Sequence, residues 1–152
     1  MLLRFILFLL LNFAALGLGS FFTSDGVSSE WYVNLNKAPW TPPGWVFGAA
    51  WTTIMICFAL FMAFAWEKAS NQKLLIGLFA VQWILNISWN PAFFKFQEVG
   101  LALILILLLT GLVGYFLFAF WSNLKFKAAL VLPYFIWLLI ATSLNTYVLF
   151  YN

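Results

Sequence analysis

Residues 31–51 read WYVNLNKAPWTPPGWVFGAAW. Four tryptophans (Trp31, Trp40, Trp45, Trp51) and three prolines (Pro39, Pro42, Pro43) fall in this window, between two long apolar blocks. A proline lacks the amide donor, fixes its own φ and pushes the preceding residue out of the α region. No regular helix is therefore expected from Lys37 to Pro43. A stiff aromatic segment beside long apolar blocks has two uses: it anchors at a lipid interface, or it roofs a pocket.

The apolar blocks on either side set the solvent. Of 152 residues 66% are hydrophobic and only 7% charged, and the mean hydropathy is +1.04. Soluble domains carry roughly 25% charged residues, so this chain is expected to be an integral membrane protein. At bilayer depth the backbone must satisfy itself, in helices or a closed barrel. Unbroken runs such as Leu101 to Leu109 lack the alternation of a barrel strand, which leaves an all-α membrane protein. About 20 apolar residues span the hydrocarbon core. Five blocks reach that length, at about 2–22, 45–66, 74–94, 99–121 and 128–150, and together they predict one bundle of five transmembrane helices. The connection 23–44 is the one long loop, and loops of that length are usually functional or disordered. Its aromatic content argues against disorder.

Arg4, the leucine-rich stretch after it and the small residues Gly17, Gly19 and Ser20 also fit a signal peptide. The apolar run exceeds an ordinary h-region, so a retained helix is expected. Orientation follows the basic residues. Arg4, Lys68, Lys73, Lys125 and Lys127 fall on the N-terminal side and only Lys37 and Lys95 on the other. This predicts a cytoplasmic N-terminus, with the tryptophan-rich loop and Asn152 outside.

Several function classes drop out. There is no histidine and one cysteine, Cys57, so no disulfide within the chain, imidazole triad or metal site can be assembled. Cys57 reads as a small buried hydrophobe. The net charge of +3 is scattered, with no basic run to follow nucleic-acid phosphates. The acids Asp25, Glu30, Glu67 and Glu98 fall in or beside loops, so no block carries the buried charge of an ion path. The fourth block, nearly featureless, is expected to face lipid and pack. Trp66 and Trp121, near block ends, read as interfacial.

The third and fifth blocks carry uncharged polar groups. Gln82, Asn86 and Asn90 recur every four residues, along one helix face, among Trp83, Trp89, Phe93 and Phe94. The fifth has Tyr134, Trp137, Thr142, Ser143, Asn145 and Thr146. Such groups either tie helices together, at roughly 0.6–2 kcal/mol per bond, or line a cavity. Apolar walls with a few directed polar groups describe a small-molecule pocket, and indoles offer broad faces for flat ligands.

Three segments together resemble the translocator protein family (tryptophan-rich sensory proteins, peripheral benzodiazepine receptor-like). WYVNLNKAPWTPPGWVFGAAW is similar to its first-loop signature, QWILNISWNPAFF to its third-helix signature and PYFIWLLIATSLNTYVLFYN to its fifth, in order along the whole chain. The resemblance implies five transmembrane helices, often a homodimer, and a pocket closed by the first loop. Family members bind porphyrins and other tetrapyrroles, some also sterols and synthetic aromatic ligands. It implies that Trp31 and Tyr32 sit at the loop side of the pocket and that Trp40, Pro42, Pro43 and Trp45 shape the lid. Trp51 enters from the second helix, Asn86 and Trp89 from the third, and Trp137, Ala141 and Asn145 from the fifth. In some bacterial members, light-driven porphyrin breakdown has been attributed to tryptophans matching Trp31 and Trp137. The expectation is a tetrapyrrole receptor in a bacterial cytoplasmic membrane, with porphyrin or haem as ligand and no resident cofactor or metal. Degradation and transport of the same ligands are the alternatives.

The chain departs from the family at four places. Gly48-Ala49-Ala50-Trp51 stands where Gly-Pro-Val-Trp is common. Ile54-Met55 replaces Leu-Tyr and removes a hydroxyl. Val81 replaces the glycine of a dimer seam. No Lys or Arg follows Tyr134 or Tyr147, so the sterol motif is absent.

Overall fold

The computed structural model describes residues 1–152 and contains helices and turns only. Helix α1 spans Leu2–Val27, α2 Glu30–Asn34, α3 Gly44–Lys68, α4 Gln72–Asn90, α5 Val99–Ala119, α6 Trp121–Leu124 and α7 Leu132–Tyr151. Five segments are long and apolar enough to cross a membrane: α1, α3, α4 with the turn after it, α5, and Trp121–Tyr151.

The differences from expectation have local causes. Helix α1 runs on to Val27 because Ser20, Ser24 and Ser28 turn their hydroxyls onto carbonyls three or four residues back, which hides their polarity without breaking the helix. The loop then holds a short helix, α2, capped by Ser29, whose hydroxyl accepts from Tyr32 N at 3.2 Å. The third span reaches its expected end, but Pro91 brings no amide donor and widens the helix into a π turn, Pro91–Lys95. Gln97, with φ 57°, reverses the chain into α5. Before α7 the chain forms a 3₁₀ turn, Lys125–Val131. The α-helix proper begins beside Pro133, whose missing amide costs nothing in a first turn. Cys57 is half-buried rather than buried.

Helix α3 is buried in its second half and not in its first. Between Ile54 and Ala65 it buries eight residues, Ile54, Met55, Phe58, Ala59, Phe61, Met62, Ala63 and Ala65, among them Phe58, which stacks on Phe61 and on Phe79 of α4 and packs at a steep angle on Phe116 of α5 and Tyr134 of α7. Its first ten residues, Gly44–Thr53, include no buried residue, so this end of the bundle is not filled. Polar side chains tie the spans at depth. Asn12 donates to the Met55 carbonyl (3.1 Å), Trp83 Nε1 to the Leu11 carbonyl (2.8 Å) and Gln82 Nε2 to the Tyr134 hydroxyl (2.8 Å). Without a hydrophobic drive between helices in lipid, such bonds and close small-residue contacts hold the bundle. Two contacts are of that second kind: a Cβ on Gly19 would stand 2.7 Å from Asn90 Nδ2, and one on Gly26 would run into the Phe94 ring.

Candidate functional site: a tryptophan-walled cavity under the loop

The unfilled end of the bundle encloses a cavity of about 680 Å³, within the range of roughly 300–1,000 Å³ usual for small-molecule sites. Its roof is Tyr32, Lys37, Thr41 and Pro42 from the 31–51 segment. Phe47 and Trp51 enter from α3, Asn86, Trp89 and Asn90 from α4, and Trp137, Leu138 and Ala141 from α7. The exposed lining residues Ser20, Ser24, Gly48 and Thr52 belong to α1 and α3, so the mouth lies between these two helices.

The three indoles are held differently. Trp137 is 6% exposed and takes the edge of Phe47 at 5.2 Å. Trp51 stands edge-on to Tyr134 at 5.9 Å. Trp89 stacks on Phe93 (5.5 Å, 16°) and donates Nε1 to Asn145 Oδ1 at 3.2 Å. The hydroxyls of Ser20, Ser24, Thr41 and Thr52 spend their protons on nearby helix or turn carbonyls, and that of Thr23 goes to the Gly19 carbonyl or Asn90 Oδ1. Towards the cavity they can only accept. Asn90 is occupied twice, by Thr23 and by its bond to the Asn86 carbonyl at 3.1 Å. The Asn86 side chain is not engaged in this way. It is 6% exposed, lines the cavity, and makes no hydrogen bond with the protein, since only its backbone carbonyl has a side-chain partner. A buried amide normally has partners, so this one is free to bond whatever fills the cavity.

The family model described as TspO/MBR matches residues 5–151. The chain belongs to the TspO/MBR family. The tryptophan-rich sensory protein of Cereibacter sphaeroides is 37% identical over 117 residues, 76% of this chain and 73% of that one. The translocator protein of Homo sapiens is 33% identical over 135 residues, 84% of this chain and 80% of its own length. The tryptophan-rich protein TspO of Archaeoglobus fulgidus is 34% identical over 128 residues, covering 84% and 82%. As a member of this family and by its five apolar spans, the chain is a multi-pass membrane protein.

Within this TspO/MBR chain the residues singled out in the sequence part into two groups. Tyr32, Pro42, Trp51, Asn86, Trp89, Trp137 and Ala141 line the cavity. Trp31, Trp40, Pro43, Trp45 and Asn145 do not. Trp31 meets the edge of Phe93 at 5.5 Å, and Phe93 in turn covers Trp89, so Trp31 stands one ring behind the wall. Trp40 lies across the C-terminal half of α7, its Nε1 on Ser143 Oγ at 3.1 Å and its ring perpendicular to that of Tyr147. Trp45 is 75% exposed at the start of α3, where the stiff turn of Pro42 and Pro43 points it away from the bundle. Asn145 is 2% exposed and fully engaged: it accepts from Trp89 and donates to the Val99 carbonyl at 3.1 Å, tying α4, α5 and α7.

Other lining residues were not foreseen. Ile106 and Leu109 come from α5, the block expected to face lipid and pack. Lys37 and Phe47 lie inside the quoted segment, where a cation and an aromatic ring are legible in the sequence as ligand-facing side-chain types. Met55, at the family's tyrosine position, is 2% exposed and lies below the cavity, its carbonyl holding Asn12. Tyr32 is partly buried, which raises its phenol above the ordinary value and keeps it a neutral donor.

Proposed function

We propose that this TspO/MBR protein is a receptor-like binding protein for porphyrin-type tetrapyrroles, held in the cavity under the 31–51 segment. The observation that carries the reading is the free amide of Asn86 facing a space walled by the indoles of Trp51, Trp89 and Trp137. A flat apolar ring gains from burial and from stacking on such walls, and the amide orients it by one or two hydrogen bonds. The scatter of basic residues supports a cytoplasmic N-terminus, which would put the roofed cavity at the outer face of a bacterial cytoplasmic membrane. Two relatives are named for translocation and sensing. Binding is the step that either activity needs first.

The test is a titration of purified protein in detergent with protoporphyrin, read by tryptophan quenching. Saturable quenching is expected. The double change Trp137→Phe with Asn86→Leu should weaken it about tenfold or more, from one lost hydrogen bond and a smaller stacking face. Absence of a saturable signal, or an affinity unmoved by the double change, overturns the reading. Light-driven degradation is the lesser reading. Of the two tryptophans that the resemblance implicates, Trp137 lines the cavity and Trp31 stands behind Phe93. Porphyrin absorbance that decays in light faster with protein than in detergent alone would restore it.

A further inference from the structure

The cavity lining contains one ionisable group that is charged at neutral pH, Lys37, and no carboxylate. Its ammonium sits 4.6 Å from the centroid of the Tyr32 ring. Its one hydrogen bond to the protein is long, 3.4 Å to the Val33 carbonyl. No acid reaches it: both ion pairs in the molecule use Glu67, beside the N-terminus and Arg4 at the other end of the bundle. The Tyr32 hydroxyl, which lines the same roof, has no partner in the protein either, for the one side-chain bond at Tyr32 involves its backbone amide. A hydroxyl with no partner and an ammonium with one long hydrogen bond and no counter-ion thus stand together at the lid end of an apolar cavity. A carboxylate is the simplest group that satisfies both donors and supplies the missing counter-charge.

We propose that Lys37, with the Tyr32 hydroxyl, makes this cavity selective for ligands that carry a carboxylate, which it receives at the lid end while the rest of the ligand lies toward Asn86. The inference rests on the tetrapyrrole reading and narrows it to carboxylated tetrapyrroles. It also gives the loop a recognition role besides its role as a cover. The carboxylate would be held by a charge-assisted bond that the corresponding ester cannot make, and such bonds are about twice as strong as neutral ones.

The experiment compares protoporphyrin with its dimethyl ester by tryptophan quenching, in the unaltered protein, in Lys37→Met and in Lys37→Arg. The unaltered protein should prefer the acid by about tenfold or more. Lys37→Met should bring that ratio close to one, and Lys37→Arg should keep most of it. Tyr32→Phe should lower the ratio by a smaller factor, about threefold. Equal binding of acid and ester by the unaltered protein, or a ratio that Lys37→Met leaves in place, overturns the inference and leaves the tetrapyrrole reading standing. Failure of both compounds to bind overturns that reading and the inference with it.

Discussion

Asn86 and Asn145 are both buried asparagines beside the same wall, and the structure gives them opposite duties. Replacing Asn145 by alanine removes the acceptor of the Trp89 indole N–H and the donor to the Val99 carbonyl, bonds of 3.2 and 3.1 Å. Interhelical bonds in membrane proteins are worth roughly 0.6–2 kcal/mol each. The Val99 carbonyl lies in the first turn of α5, whereas the indole N–H is left bare. The loss should come to about 2 kcal/mol, within a range of about 1–4 kcal/mol. At about 2–4 °C per kcal/mol for a chain of this size, the thermal midpoint in detergent should fall by about 5 °C. Asn86→Leu removes no bond within the protein, so its midpoint should hold or rise while porphyrin affinity falls several-fold. Thermal unfolding followed by near-UV circular dichroism, beside quenching titrations on both variants, reads the two effects separately. The reasoning is refuted if Asn145→Ala keeps its midpoint and loses affinity, or if Asn86→Leu melts early with affinity intact.

Three further outcomes follow from single contacts. Gly26→Val should cost about 1–3 kcal/mol through overpacking, because its side chain enters the space of the Phe94 ring; Gly17→Val, at a position with open space around it, should be near neutral in the same thermal assay. Asn152→Ala should loosen the lid, because the Asn152 amide accepts from Asn36 N at 2.7 Å and donates to the Asn36 carbonyl at 3.2 Å. Hydrogen exchange at the Asn36 amide should speed up, with little change in the melting midpoint. Since burial raises the Tyr32 phenol, it stays protonated through the range in which an ordinary phenol begins to ionise. The effect of Tyr32→Phe on porphyrin affinity should therefore be the same at about pH 7 and at about pH 10, where an ordinary phenol is half ionised; an effect that falls away at the higher pH would contradict a neutral donor.

The five spans were legible because lipid leaves few choices: about 20 apolar residues in a row can do little else than cross as a helix. The proline-stiffened roof was legible for a similar reason, since Pro39, Pro42 and Pro43 act on their own backbone whatever surrounds them. What stayed hidden depends on partners far away in the chain. Asn86 and Asn145 look alike in sequence, and only the Trp89 indole arriving beside one of them separates a tie from a free amide. Trp31 and Trp51 look alike in the quoted segment, and it is Phe93, carried inward by the π turn, that screens Trp31 from the cavity. Helix α1 outran its expected end because serine hydroxyls folded back onto their own helix, a local rescue that composition does not reveal. The departure at Met55 looked like the loss of a cavity hydroxyl, yet that side chain lies beneath the floor.

In the proposed complex a flat ligand lies between the indoles of Trp51, Trp89 and Trp137 with a polar atom on Asn86. A structure of the protein with protoporphyrin bound tests it most directly. Density for the macrocycle is expected inside the cavity, within hydrogen-bond distance of the Asn86 amide. A macrocycle on the outer surface of the bundle, with the Asn86 amide facing an empty cavity, would contradict it.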